Sequence, residues 1–313
     1  MSNVKALLIF CEGSHDVAFV QKVLTLCLGF QKMKWKFSEY PFPLNALFKQ
    51  TVQDHAAGDL SLDMAHKFFL PDSVLQKSDY LILLFNSGGS SQTVIVKSLL
   101  KQFLIFLEKL NEGEPNSQIF SDTSDTSDTP DEAQSVVSEA KYLFLYDADH
   151  NGTTALFEKI KKDFEVIDEE TTWFFNKLEV LKDDPFGAIA DDKAAYIWAE
   201  NTDFGTLEDI LLPMVEKDQK EIVEKAINFI DNPLFKWETS STDKQRKIAE
   251  ISKRKKAIIT CVGQRNYSGY SLKVIIEGKE KEKEKEKNII KDNTFMDDPN
   301  VKAFSDFIEK FME

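Results

Sequence analysis

At 313 residues, with a formal net charge of −14 and 42% hydrophobic residues, the chain is long enough to bury a substantial core in one large domain or two small ones. It shows no positively charged leader with an apolar core, and no apolar run approaches the roughly 20 residues of a membrane span, so a soluble, cytoplasmic protein without a membrane partner is expected. Its three cysteines, Cys11, Cys27 and Cys261, lack paired spacing and only four histidines are present, which argues for buried, reduced thiols and against a disulfide framework or a Cys/His zinc site.

The first apolar run, Ala6 to Cys11, leads into Glu12, Gly13, Ser14, His15 and Asp16. A short run rich in Leu, Ile and Phe, followed by a helical pattern, reads as a buried parallel strand feeding a helix, here a strand over 5–11 and a helix over 15–28. A strand over 34–40, helices between about 44 and 76, a strand over 79–86 and a helix over 90–111 follow. Residues 112–139 carry eight acids, no Lys or Arg, and the repeat SDTSDTSDT from Ser121 to Thr129, the composition of a flexible acidic insertion. Next come a strand over 141–147, a helix over 152–164, a strand over 194–199 and a helix over 206–230. The strict Lys/Glu alternation of 279–287 is that of a charged, solvated loop or helix extension. Val301, Phe304, Ile308 and Phe311 then have the spacing of an amphipathic helix that closes the fold. Alternation of strands and helices predicts one α/β domain over 1–313, its mostly parallel sheet covered by helices.

Two acidic clusters sit just past strands: Glu12 and Asp16 after the first, and Asp147 and Asp149 after Tyr142 to Tyr146. In open α/β sheets ligands bind outside the carboxyl ends of the strands, so both clusters are placed to converge on one site. If the strand persists through Asp149, Asp147 and Asp149 project from one face. Carboxylates so grouped suit Mg²⁺ or Mn²⁺, one or two ions, with waters kept for substrate phosphates. The plainer alternative is that Asp16 caps its helix while Asp147 and Asp149 open a turn with Asn151 and Gly152.

Glu12-Gly13-Ser14-His15-Asp16 at the end of an early strand, followed by Asp147-Ala148-Asp149 at the end of a later one, resembles the two signatures of the Toprim domain. Asp16, four residues after Glu12, is more typical of the OLD-like branch. A third block, Gly205-Thr206-Leu207-Glu208-Asp209, is similar to one in stand-alone Toprim-like proteins of about this size. The resemblance implies a Rossmann-like Toprim fold and a nuclease, a metal-dependent phosphodiester hydrolase acting on DNA or RNA. Glu12, Asp147 and Asp149 would be catalytic and metal-binding, with Asp16, Glu208 and Asp209 completing a second metal site. It also implies a place in phage or plasmid defence. No Gly-x-x-x-x-Gly-Lys-Ser/Thr phosphate loop is present, so a partner ATPase would be a separate subunit. The roughly 130 residues between the first two blocks exceed the compact Toprim pattern, and the acidic insertion accounts for part of them.

The remaining candidates are polar stretches. Thr206 is a plausible N-cap with Asp209 at the third helical position, a capping-box pattern that competes with a metal role. Asn86-Ser87-Gly88-Gly89-Ser90 after a strand offers bare amides to a phosphate, or simply a tight turn. Lys244 to Lys256 is the one concentrated basic stretch. Its Lys253, Arg254, Lys255 and Lys256 are candidates for nucleic-acid backbone contacts, or a solvated helix face. Lys256 is also a candidate for stabilising the cleaved phosphate. A competing reading keeps the Toprim scaffold as a non-catalytic module for a phosphorylated ligand or partner protein. Oligomer formation is compatible with either.

Overall fold

The computed structural model describes residues 3–56, 70–89, 92–111, 135–167, 178–232, 244–266, 271–278 and 288–313. The repeat at Ser121 to Thr129, Ser90 and the Lys/Glu run at 279–287 lie outside them.

Nine consecutive residues, Asn3–Cys11, form β1, the centre of an eight-stranded sheet ordered β2-β3-β4-β1-β5-β8-β7-β6. β4 (Tyr80–Asn86) and β5 (Val136–Asp147) flank β1 in parallel, with Cys11 level with Asn86 on one side and Leu145 on the other. β8 (Lys193–Trp198) extends the parallel set beside β5. Leu7 through Phe10 and Leu81 through Phe85 are wholly buried, as a strand covered on both faces requires.

The sheet is mixed, because antiparallel strands border the parallel centre. β2 (Gln31–Lys32) and β3 (Ser73–Lys77) add to β4, while β7 (Gly187–Ala190) and β6 (Glu179–Val180) add to β8. The strand expected over 34–40 is absent. Its place is taken by extended chain and a 3₁₀ turn at Phe37–Glu39 leading to Pro41 and Pro43, residues without an amide hydrogen to give a ladder. The aromatic spacing that suggests a strand serves packing instead: Tyr40 sets its ring edge against Phe48 at 5.1 Å and Trp35 at 5.4 Å. Within the expected helical region 44–76, α2 covers Leu44–Ala56 and residues 73–77 are strand. β5 begins at Val136, so the last residues assigned to the acidic insertion belong to the sheet.

Helices cover both faces. α1 (Ser14–Leu26) packs on one, with α5 (Leu207–Ile230), α6 (Lys244–Asn266), α7 (Leu272–Glu277), α8 (Asp292–Asp297) and α9 (Pro299–Met312). α2, α3 (Thr93–Asn111) and α4 (Thr153–Asp163) cover the other. The closing helix buries Val301, Phe304, Ile308 and Phe311 as its spacing predicts. Asp298 caps it by accepting from the Asn300 amide at 2.9 Å, with Pro299 at its first position. Phe304 meets Trp198 at 4.7 Å and Tyr196 at 4.9 Å, which fastens the C-terminal helix to β8.

The helix after β1 lies on one face and the helix after β5 on the other. The carboxyl ends of these adjacent parallel strands therefore splay apart, the crevice in which open α/β sheets hold ligands. Among the described residues no helix is long and apolar enough to cross a membrane. All three cysteines are free, and Cys11 is buried.

Candidate metal centre

Glu12 and Asp147 stand side by side at that crevice. The Glu12 amide donates to the Leu145 carbonyl at 3.1 Å, and its carboxylate oxygen Oε2 accepts from the Asp147 amide at 3.1 Å. Asp147 in turn accepts through Oδ1 from the Leu207 amide at 2.8 Å. Its carboxylate thereby serves the N-terminus of α5 from 60 residues away in sequence, a favourable place for an anion. Asp16 caps the start of α1, accepting from the Gly13 amide through Oδ2 at 2.8 Å. Its other oxygen, Oδ1, is buried with no hydrogen-bond partner. One Asp16 oxygen therefore caps α1 while the other is left without a partner.

Glu208, one residue inside α5, is only 4% exposed. Its negative charge acts on Asp16, Asp147 and Asp149, and that of Glu12 acts on Asp16 and Asp147. Four acids from β1, α1, β5 and α5 therefore share one poorly solvated volume. The ionisation of Asp16 shows the cost: burial, with the charges of Glu12 and Glu208 added, pushes its carboxyl up to about 7 against the pull of the Gly13 amide. Burial first, then Asp16, Glu208 and Glu12, pushes Asp147 well above the carboxylate range. His15 is held low, by burial and then by the charge of Lys256.

Asp149 departs from expectation. β5 stops at Asp147, and Asp149 turns into the left-handed region at φ 49°, a conformation Asp tolerates. The two acids therefore do not project from one strand face. Asp149 is exposed at the rim, and its backbone exchanges hydrogen bonds with Gly205, 2.7 Å from its amide and 3.0 Å to its carbonyl oxygen. This exchange joins the Asp147-Ala148-Asp149 loop to the Gly205-to-Asp209 block and sets where Glu208 enters. Gly205 has φ +136°, and a Cβ there would lie 1.9 Å from the Glu200 amide nitrogen. Gly205→Ala is expected to cost about 2 kcal/mol or more, read as a lowered thermal midpoint. An unchanged midpoint would show that this joint does not lock the loops.

Asp209 joins α5's cap rather than the acid cluster. Its Oδ2 accepts from the Thr206 amide at 2.7 Å and its Oδ1 pairs with Lys255, which also reaches Glu200 at 3.3 Å. Both oxygens being engaged, the expected second-site ligand role gives way to capping. The basic residues divide likewise. Arg254 bonds Asp231 through Nε at 2.7 Å, Lys256 Nζ lies 3.1 Å from Glu208 Oε1, and Lys253 is exposed. Instead of one free basic face, α6 sends Lys255 and Lys256 to the crevice and Arg254 to the end of α5.

Two residues at this edge were not signalled by the sequence. Glu200, just past β8, holds Lys255. Asp72, just before β3, accepts from the Asn86 amide at 3.2 Å, and its charge is felt at Cys11. Asp72 reaches this edge only because β3 runs antiparallel to β4, a pairing that no local pattern announces. At the Gly88-Gly89 turn, the Gly89 amide donates to the Glu12 carbonyl at 2.8 Å, so the tight-turn reading holds for that amide.

Among the described residues, no three His, Cys, Asp or Glu side chains are posed as a ready-made metal cage. The oxygens are drawn to backbone amides and to Lys256 instead. The donor set itself, hard carboxylates with one buried oxygen on Asp16 left unpartnered, fits Mg²⁺ or Mn²⁺.

No protein-family model matches the chain, and no curated protein matches it. Among solved structures, a hypothetical protein from Pyrococcus horikoshii OT3 is similar at 14% identity and a TM-score of 0.48, over 99% of this chain and 100% of its own.

Proposed function

We propose that the protein is a Toprim-type, OLD-like nuclease, a metal-dependent phosphodiester hydrolase of DNA or RNA. The observation that carries the reading is the convergence of Glu12, Asp16, Asp147 and Glu208 at the carboxyl ends of two adjacent parallel strands, in surroundings that raise the carboxyl pKa values of Asp16 and Asp147. Acids held so close and so dry require protons or a divalent cation to coexist.

Glu12, Asp16, Asp147 and Glu208 would hold the ion, with Asp149 at the rim. A bound Mg²⁺ or Mn²⁺ would supply Lewis-acid polarisation of a phosphate oxygen and a more acidic water. The chain supplies the rest. Glu12 braces the Asp147 backbone, the Leu207 amide fixes one Asp147 oxygen, and Lys256, half-exposed at the mouth, offers positive charge to a phosphate. Lys253 and the adjoining lysines of α6 would extend that attraction along a nucleic-acid backbone. An ATPase partner would be a separate chain, and a role in defence rests on the Toprim resemblance.

The test is hydrolysis of supercoiled DNA, single-stranded DNA and tRNA with Mg²⁺, with Mn²⁺ and with EDTA. Cleavage that needs the metal supports the reading. Cleavage untouched by EDTA overturns the metal dependence, and no cleavage on any substrate with either metal overturns the nuclease reading and leaves the non-catalytic binding module.

A further inference from the structure

Glu208 is nearly sealed from solvent, yet the cation paired with it comes from outside. Lys256, whose side chain is 48% exposed, reaches in from α6 to within 3.1 Å of Glu208 Oε1. The helix does not depend on this contact for its position. Lys255 ties it to Asp209 and Glu200, Arg254 ties it to Asp231, and its later turns bury Ile258, Ile259 and Val262. The Lys256 ammonium, a compact charge on a flexible four-carbon stem, can therefore change partner without moving the helix.

That ammonium brings one positive charge to a volume where the charge of Glu208 also acts on the Asp16 and Asp147 carboxyls. A divalent ion brings two, and binds carboxylate oxygen directly. Resting on the proposed metal site, we propose that Lys256 is an internal counter-ion that competes with the metal for Glu208, so that metal binding releases the lysine toward the crevice mouth. The device couples loading to function. The ammonium becomes available to a phosphodiester only after the metal has taken Glu208, which imposes an order of metal first and nucleic acid second.

Calorimetric titration with Mn²⁺ alone tests this on the full chain. Lys256→Gln is expected to bind Mn²⁺ about fivefold more tightly than wild type, the scale of one removed ion pair. Lys256→Arg should restore wild-type affinity, and Lys310→Gln, exposed at the far end of α9, should leave it unchanged. A second readout needs no variant: acylation of the wild-type protein, followed by peptide mass spectrometry, should label Lys256 more heavily when Mn²⁺ is present, with Lys310 constant. Wild-type binding with equal or weaker affinity in Lys256→Gln, or unaltered Lys256 labelling, overturns the competition and leaves the metal site standing. Failure of wild type to bind Mn²⁺ at all overturns both.

Discussion

Asp147→Asn is expected to lower metal-dependent cleavage by about a thousandfold, roughly 4 kcal/mol of transition-state stabilisation. The substitution is close to isosteric, and the asparagine oxygen still accepts from the Leu207 amide, so α5 keeps its cap and Glu208 its entry point. What disappears is one negative charge from the acid whose carboxylate also holds the start of α5. A carboxamide is a poor partner for a hard divalent ion, so affinity and rate should fall together while the fold survives. Initial rates of Mn²⁺-dependent plasmid nicking, with circular dichroism as the check on folding, measure this. Retention of more than about a tenth of wild-type activity would remove Asp147 from the chemistry.

Asp16→Asn should have the opposite sign in stability. With burial and the Glu12 and Glu208 charges holding the Asp16 carboxyl near 7, the native chain keeps a proton that the unfolded chain gives up near pH 4. The stability this contributes is present in full below about pH 4 and is lost as pH rises toward 7. The metal-free wild type should therefore lose thermal stability between pH 5 and 8, and added Mn²⁺ should restore it. An asparagine keeps the Gly13 amide bonded and has no charge to bury, so the metal-free variant should be about 1–3 kcal/mol more stable than wild type at pH 8, with a flatter pH profile. Its midpoint should gain less from Mn²⁺. A variant less stable than wild type at pH 8 would mean that the Asp16 charge is already compensated.

How much of this was legible beforehand follows the physics of each element. β1, β4 and β8 are apolar runs with abrupt polar ends that were legible to within about two residues, as was the end of β5 at Asp147, although β5 starts earlier, at Val136. The acid cluster was legible for the same reason, since a carboxylate just past a buried parallel strand has little choice about which edge it occupies. Three things were not legible. β3, β6 and β7 are short and pair antiparallel at the margins, so their stability comes from neighbours rather than local pattern. The expected pairing of Asp147 with Asp149 failed because a left-handed residue ended the period-two geometry. The acidic partners of α6 join residues 23 to 55 positions apart, which a basic run read by itself cannot disclose.

The two outermost strands, Gln31–Lys32 and Glu179–Val180, are only two residues each. A sheet with a centre as greasy as β1 and β4 would be a dangerous template if its borders were long, because open amides and carbonyls recruit strands from other molecules. Among the described residues each border offers little ladder to extend, and lysine or glutamate stands on it. The same antiparallel trim that brings Asp72 to the working edge thus shortens the borders that could recruit other strands, and lengthening either with apolar residues is expected to promote self-association.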